Sequence, residues 1–496
     1  MEFTLARKLN RQIFFHLGPT NSGKTHDALI QLQKAKSGVY LAPLRLLAME
    51  IRDRLMEANV PCNLITGEER QIIEGAKHTS STIEMMNPNI EVDVAIIDEI
   101  QMIQDQVRGS SWTAALIGVP AKQVYVCGAN SVTEPCIRTI ESLSETYHVH
   151  YFERKTPLIV ENEALSGNNY NRWVLKKKLC KGDAVIAFSR KDVLTLSARF
   201  RQWGFKVASI YGALSPEVRR TESERFNRGS ADILVATDAI GMGLNLPIKR
   251  IVFSTIEKFD GYTTRNINAT ETRQIAGRAG RYGIYPEGYV SAFENDDLIH
   301  IEHMLNYPDT SEIKKLPVAP NFIHINKIST LINTNRISEI LVNFSEEIEI
   351  ENSLFEIGSL SVQIEQARIV DEYAPNLPLH DKMIFVYAPI SLDKSNERDY
   401  FLSCIDSVLN SRKKSLPRNV NWLDSISAKH LEEAEFLAKE VSLYAWLGFK
   451  YPMLFTELAD IPSLRNKISR YIERALLIQA GYKETSKEIL YQLDKR

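Results

Sequence analysis

The chain has 496 residues, 44% of them hydrophobic and 25% charged, with a net charge of -2; that length predicts about two to four domains rather than one ordinary core, and that charge excludes a protein that grips a polyanion by bulk positive charge. No apolar run reaches the roughly 18–20 residues of a membrane span, so no membrane partner is expected. The five cysteines, Cys62, Cys127, Cys136, Cys180 and Cys404, are scattered without a C-x-x-C pair, which argues against a zinc site or disulfide framework and predicts a reducing compartment.

The opening MEFTLARKLNRQ lacks the apolar core of a secretion signal. Arg7, Lys8 and Arg11 give it some transit-peptide character, but a strand pattern starts at once and leaves no disposable leader. A cytoplasmic protein is the expectation. From Arg11 to about Phe293, strand-like runs alternate with helix-sized gaps: RQIFFHLG, SGVYLAP, EVDVAIIDEI and KQVYVCGA, then DAVIAFS, KVASIYG, ADILVAT, RIVFST and GYVSAF. Strands that are apolar nearly throughout predict parallel sheets covered on both faces. The series pauses at ERKTPL (Glu153–Leu158), which divides it into α/β domains at 1–153 and 154–300. Beyond that, Leu431, Ala434, Leu437, Val441, Tyr444 and Leu447 fall at spacings of three and four, one apolar helix face, and 301–496 reads as a mainly helical accessory region. The run RKKSLPR (Arg412–Arg418) is either a solvated loop or a phosphate contact.

GPTNSGKT (Gly18–Thr25) has the form G-x-x-x-x-G-K-T and follows the apolar IFFHL directly. A strand delivers such a loop, and the helix after it points its N-terminus at phosphates. Gly18, Pro19, Thr20, Asn21, Ser22, Gly23, Lys24 and Thr25 are therefore candidate ATP contacts. Lys24 suits the β- and γ-phosphates, and the Thr25 hydroxyl suits Mg²⁺. In VAIIDEIQ, four apolar residues put Asp98 at the carboxyl end of a buried strand, placed to share the Mg²⁺. Glu99 is the candidate to activate the attacking water. An acidic pair at a strand end can also cap a helix; beside a phosphate loop the catalytic role is expected.

In the second domain, QIAGRAGRYG (Gln274–Gly283) carries Arg278 and Arg281 three residues apart, on one face if the turn is helical. An arginine arriving from outside the phosphate-loop domain stabilises charge on a transferring phosphoryl group. Hydrolysis would then require the two domains to close, which is what a motor needs.

DEIQ together with QIAGRAGR resembles the superfamily-two helicases of the DExH type. Further motifs follow in family order: APLRLLA, TGEE and HTSSTIEM in the first domain, then VIAFSR, YGALSP and ILVATDAIGMGLNLP in the second. The resemblance covers residues 11–293. In GPTNSGKT, PLRLLAMEI, PCNLITGEER, DEIQM, KFDG and the tail segment SLYAWLGF, the chain is most similar to the Suv-three type of mitochondrial degradosome RNA helicase and its bacterial relatives. Two departures stand out: no long domain precedes the first strand, and CGANS (Cys127–Ser131) replaces the usual Ser-Ala-Thr coupling motif.

The resemblance implies two RecA-like domains and ATP-driven 3′-to-5′ unwinding of RNA with a single-stranded tail, with DNA or hybrid duplexes as the other candidate tracks. It also implies a role in RNA degradation beside an exoribonuclease. ATP would sit between the domains, with Gln274, Asp238 and Gly241 adding to the arginines. Pro43, Arg45, Gly67, Thr82, Ser189, Arg190 and Thr237 are the implied nucleic-acid contacts, with capping or core-edge roles open for Thr82 and Ser189. A strand-splitting hairpin is expected within Glu257–Glu271, with Phe259 or Tyr262 stacking on a base. A DNA repair motor and a scaffold with a decayed site are the competing classes; intact Lys24, Asp98, Glu99, Arg278 and Arg281 weigh against the second.

Overall fold

The computed structural model describes residues 3–168, 171–212, 214, 216–241, 246–259, 263–307, 313–348, 350, 354–390, 392, 394–418 and 427–479. Tyr262 and the Gly243 half of the ATDAIGMG segment lie outside them.

Eight strands make the first sheet: β1 (Gln12–Leu17), β2 (Gly38–Ala42), β3 (Cys62–Ile65), β4 (Arg70–Gln71), β5 (His78–Thr82), β6 (Val92–Ile97), β7 (Ala121–Gly128) and β8 (Thr146–Tyr151), in the order β4-β3-β5-β2-β6-β7-β1-β8. Every pairing is parallel except β3 with β4. Alternate residues of the central strands feed different faces. Ile13, Phe15 and Leu17 pack on one side, while Tyr40, Ala42, Val94 and Ile96 pack on the other. Arg11, fully buried, ties the sheet's start to its end. It donates to both Glu145 carboxylate oxygens (2.7 and 2.6 Å) and to the carbonyls of Val119 and Leu116.

The linker at ERKTPL runs straight into β9 (Leu158–Val160), the edge strand of a second, all-parallel sheet. The sheet also holds β10 (Asp183–Ile186), β11 (Val207–Ile210), β12 (Ile233–Ala236), β13 (Arg250–Phe253) and, after a hairpin, β16 (Gly288–Ala292), in the order β11-β12-β10-β13-β16-β9, so that β9 pairs with β16. The expected hairpin is there as β14 (Glu257–Phe259) antiparallel to β15 (Thr264–Asn266).

Among the described residues, seven α-helices between Phe322 and Gln479 build the C-terminal region, with a short parallel ribbon of β17 (Leu316–Val318) and β18 (Phe355–Ile357). The six apolar positions read from the sequence lie on the helix Ala428–Lys450, and all are buried. The run Arg412–Arg418 is a connector: Leu416 is buried and Arg418 pairs with Glu457 and Asp460 (2.5 Å to the latter).

Burial raises the Glu440 carboxyl on this helix to about 7, against the opposing pull of Lys414. The folded state then holds this proton more tightly than the unfolded chain, so stability falls as pH rises from its ordinary value near 4.5 to about 7. Glu440→Gln is expected to raise the urea midpoint at about pH 8 and to lose that advantage at about pH 4. A variant no more stable than wild type at the higher pH would contradict this account.

Candidate functional site

Three loops leave the carboxyl ends of β1, β7 and β6 side by side. The first is the phosphate loop. Gly23, at φ +92°, caps the helix Lys24–Lys34 in a left-handed conformation that a side chain would strain. A Cβ on Gly18 would stand 2.2 Å from the Phe152 carbonyl oxygen, so only glycine lets the loop pass there. Lys24 Nζ donates to the Pro19 carbonyl at 3.1 Å. The Ser22 hydroxyl is buried without a hydrogen-bond partner. A triphosphate would satisfy that group and compete for the ammonium, so the residues present suit one.

From β6, Asp98 is buried and receives three hydrogen bonds: Thr25 Oγ1 at 3.2 Å, Tyr40 OH at 2.5 Å and the Glu99 amide at 3.0 Å. Burial and the neighbouring Glu99 charge raise its carboxyl to about 6, against the pull of Tyr40 and Lys24. A carboxylate under that pressure gains from a bound cation. Thr25 and Asp98 meet as the pairing of a hydroxyl and an acid requires for Mg²⁺.

Glu99 sits at φ +52°, a left-handed position that costs a non-glycine residue energy. Gln101 supports it from below. Its Nε2 donates to Glu99 Oε2 at 2.5 Å, while its Oε1 accepts from the Ala129 amide at 3.0 Å. Gln101 therefore bridges the acidic loop to CGANS, and the Gly128 carbonyl accepts from the Gly18 amide at 3.0 Å. The segment whose coupling residue the sequence left open is linked to both catalytic loops.

The second sheet brings its arginines to the same place by different routes. The helix Ala269–Ala276 ends before them, and Gly280 turns left-handed (φ +72°) between them, so they do not share one helical face as the spacing suggested. Arg278, partly buried, lies 4.0 Å from Glu99 Oε1 and donates to the Gly241 carbonyl. Arg281 is lowered from its ordinary value by burial and by Arg54, with Glu50 opposing, which places it beside the helix Arg45–Glu57. Gln274 packs against Gly241, 3.7 Å from where a Cβ would stand. Asp238 faces elsewhere: Lys258, from β14, bridges it to Glu271 (2.6 and 3.0 Å).

The nucleic-acid candidates divide. Arg45 and Arg190 line a cavity of about 480 Å³ closed by the two C-terminal helices Ala428–Lys450 and Ile461–Gln479, with Arg219, Lys439 and Arg465 also on its wall. Arg45 pairs with Glu68 and Glu69, and Arg465 reaches the same Glu68. Arg190 pairs with Glu435. Gly67 abuts Trp446, and the Pro43 carbonyl accepts from Arg108 at 2.7 Å. Ser189 caps the helix Arg190–Gln202, Thr82 is buried at the end of β5, and Thr237 is buried after β12. Phe259 is 62% exposed on the hairpin. Sequence reading missed Tyr40, Gln101, Arg154, Arg219, Lys439 and Arg465.

Family models match the chain in three places: the DEXQ-box helicase domain of Suv3 over residues 1–152, a helicase conserved C-terminal domain over 171–283, and the ATP-dependent RNA helicase SUV3 C-terminal domain over 431–477. The chain is 38% identical to "ATP-dependent RNA helicase SUV3, mitochondrial" of Oryza sativa subsp. japonica, covering 99% of this chain and 84% of the relative. It is 35% identical to "DExH-box ATP-dependent RNA helicase DExH16, mitochondrial" of Arabidopsis thaliana (96% and 82% covered). It is 34% identical to "ATP-dependent RNA helicase SUV3, mitochondrial" of Saccharomyces cerevisiae (93% and 64%). Its fold is like that of the Escherichia coli DEAH/RHA helicase HrpB, with a TM-score of 0.54 at 14% identity over 90% of this chain and 59% of that one. These findings correct one expectation. All three relatives are named mitochondrial, which overturns the cytoplasmic placement. The matching family model describes the acidic motif as a DEXQ box, which Asp98–Gln101 spells out.

Gln101→Ala would leave Glu99 unsupported, and a displacement on the order of 1 Å can cost about 10²-fold in rate. A loss of that size in ATP turnover is expected, with KM for ATP little changed; full turnover would remove Gln101 from the hydrolytic machinery.

Proposed function

The chain belongs to the Suv3 family of ATP-dependent RNA helicases, and from that premise we propose that it couples ATP hydrolysis between its two sheets to 3′-to-5′ movement along RNA, opening duplexes as it goes. It is an ATP-hydrolysing helicase by family. The observation that carries the fuller reading is the meeting of Arg278 and Glu99 across the two sheets, 4.0 Å apart. Neither half holds a complete site, so hydrolysis depends on their closure.

The roles follow from position. The loop Gly18–Thr25 holds the phosphates, with Lys24 leaving the Pro19 carbonyl for them. Thr25 and Asp98 would hold Mg²⁺, which would supply positive charge beside the transferring phosphoryl group. Glu99 orients and deprotonates the attacking water, and Arg278 stabilises the charge that develops, with Gln274 beside it. Arg281 has the same role once it leaves the neighbourhood of Arg54 and Glu50. Asp238 and Gly241 report the state of this interface toward the hairpin.

The cavity between the sheets and the C-terminal helices suits a single strand. Arg45 and Arg190 grip phosphates from the two domains, with Arg219, Lys439 and Arg465 added. Such contacts position without reading sequence. Phe259, exposed at the hairpin, is placed to stack on a base at the duplex junction. The working division is 1–153 and 154–300 for the two RecA-like domains and 301–496 for the helical cover. RNA with a single-stranded tail is the substrate, and an exoribonuclease is the partner that such a motor would feed.

ATP hydrolysis measured alone, with single-stranded RNA and with DNA of the same sequence tests this. RNA stimulation is expected. Equal rates in all three would sink the motor, and stimulation by DNA alone would favour a DNA translocase. Lys24→Ala and Glu99→Gln should each abolish turnover, with Glu99→Gln still binding ATP; hydrolysis by the Glu99 variant would contradict its role.

A further inference from the structure

The peptide units on both sides of Arg278 are held from the other half of the molecule. The Asn21 side-chain Nδ2 donates to the Gly277 carbonyl at 3.0 Å and to the Ala279 carbonyl at 3.2 Å. Arg154, in the linker, donates to the same two oxygens (2.8 Å to Gly277) and also to the Thr20 carbonyl of the phosphate loop at 3.1 Å. Its Nε closes on the Thr156 carbonyl at 2.7 Å.

Two features mark this as more than a surface contact. Among the described residues, every acceptor around the Arg154 guanidinium is a carbonyl and no carboxylate compensates its charge; burial pushes it down to about 10. A guanidinium offers five donors in a rigid fork, which suits several fixed carbonyls as an ammonium does not. The approach is also close. A Cβ on Gly277 would stand 2.8 Å from Thr20 Cβ, so the absence of a side chain admits the phosphate loop. Asn21 holds φ +63°, a conformation asparagine tolerates better than most residues.

We propose that Asn21 and Arg154 are positioning residues for hydrolysis, pinning the backbone that flanks Arg278 to the phosphate loop. The reach of Arg278 is then set by the loop that holds the phosphates, and not by the second sheet alone. Asn21, which the sequence placed among the ATP contacts, acts through the arginine motif. The inference rests on Arg278 being the arginine of the ATP site.

The test uses the full chain, with ATP hydrolysis measured at saturating single-stranded RNA. Arg154→Ala and Asn21→Gly, the glycine keeping the left-handed backbone accessible, are each expected to lower kcat by about 10²-fold with little change in KM. Arg154→Lys, which keeps the charge and the stem, should recover part of the loss. The deciding measurement is single-turnover hydrolysis in an Arg278→Ala background, where Arg154→Ala should add no further loss because the residue it positions is gone. An equal loss in both backgrounds, or an effect confined to KM, would overturn the proposal. Failure of the underlying reading shows separately, as wild-type kcat in Arg278→Ala alone.

Discussion

Parallel pairing of β6, β7 and β1 sends three strand ends to one edge of the first sheet, and the chemistry of the molecule depends on that alignment. Had one strand run the other way, its loop would emerge at the opposite edge. As built, Gly18, Gly128 and Gln101 lie close enough for a chain of hydrogen bonds to link the Gly18–Thr25 loop to Glu99, the two parts of the proposed hydrolytic site. Glu99 keeps its left-handed backbone because its neighbours are already committed: Asp98 accepts its amide, and Trp112 donates to the Asp98 carbonyl at 3.0 Å.

The catalytic strands were legible in the sequence because burial on both faces makes them apolar throughout. β5 was not legible as a strand, since His78, Ser80, Ser81 and Thr82 are buried but polar. Two of them are satisfied by specific partners, Ser80 donating to the Ala48 carbonyl at 2.7 Å and His78 bonding that of Leu32 at 3.0 Å, while the Ser81 hydroxyl is buried without a hydrogen-bond partner among the described residues. Hydropathy cannot signal such a strand. The same limit governs the site. Lys24, Asp98 and Glu99 announce their chemistry by type and spacing. Arg154 works through backbone carbonyls, which every residue has, so nothing at the positions of its partners marks it. Arg278 and Arg281 show a subtler failure: their spacing suggests one helical face, but Gly280 breaks the turn, so Arg278 reaches Glu99 while Arg281 lies by Arg54, with Glu50 near both.

The hairpin is tied to the second sheet by charge at its base. Lys258 holds Asp238 and Glu271 together, and Arg265 adds two bonds to Glu271. Glu271 also closes the capping box that starts the helix leading to Arg278. The arginine motif and the hairpin are therefore joined by a short set of ion pairs.

Three of the four arginines on the cavity wall already have carboxylate partners: Arg45 and Arg465 share Glu68, and Arg190 holds Glu435, while Arg219 donates to the Tyr211 and Gly212 carbonyls. A strand entering this space would meet mostly paired positive charge. It would exchange one anion for another, each phosphate displacing a glutamate that then recruits a cation from solution. Binding of this kind returns part of the counterion entropy that a polyanion gains by shedding its ion atmosphere. Its salt dependence would accordingly be shallower than the number of arginines suggests, in a chain whose net charge is -2.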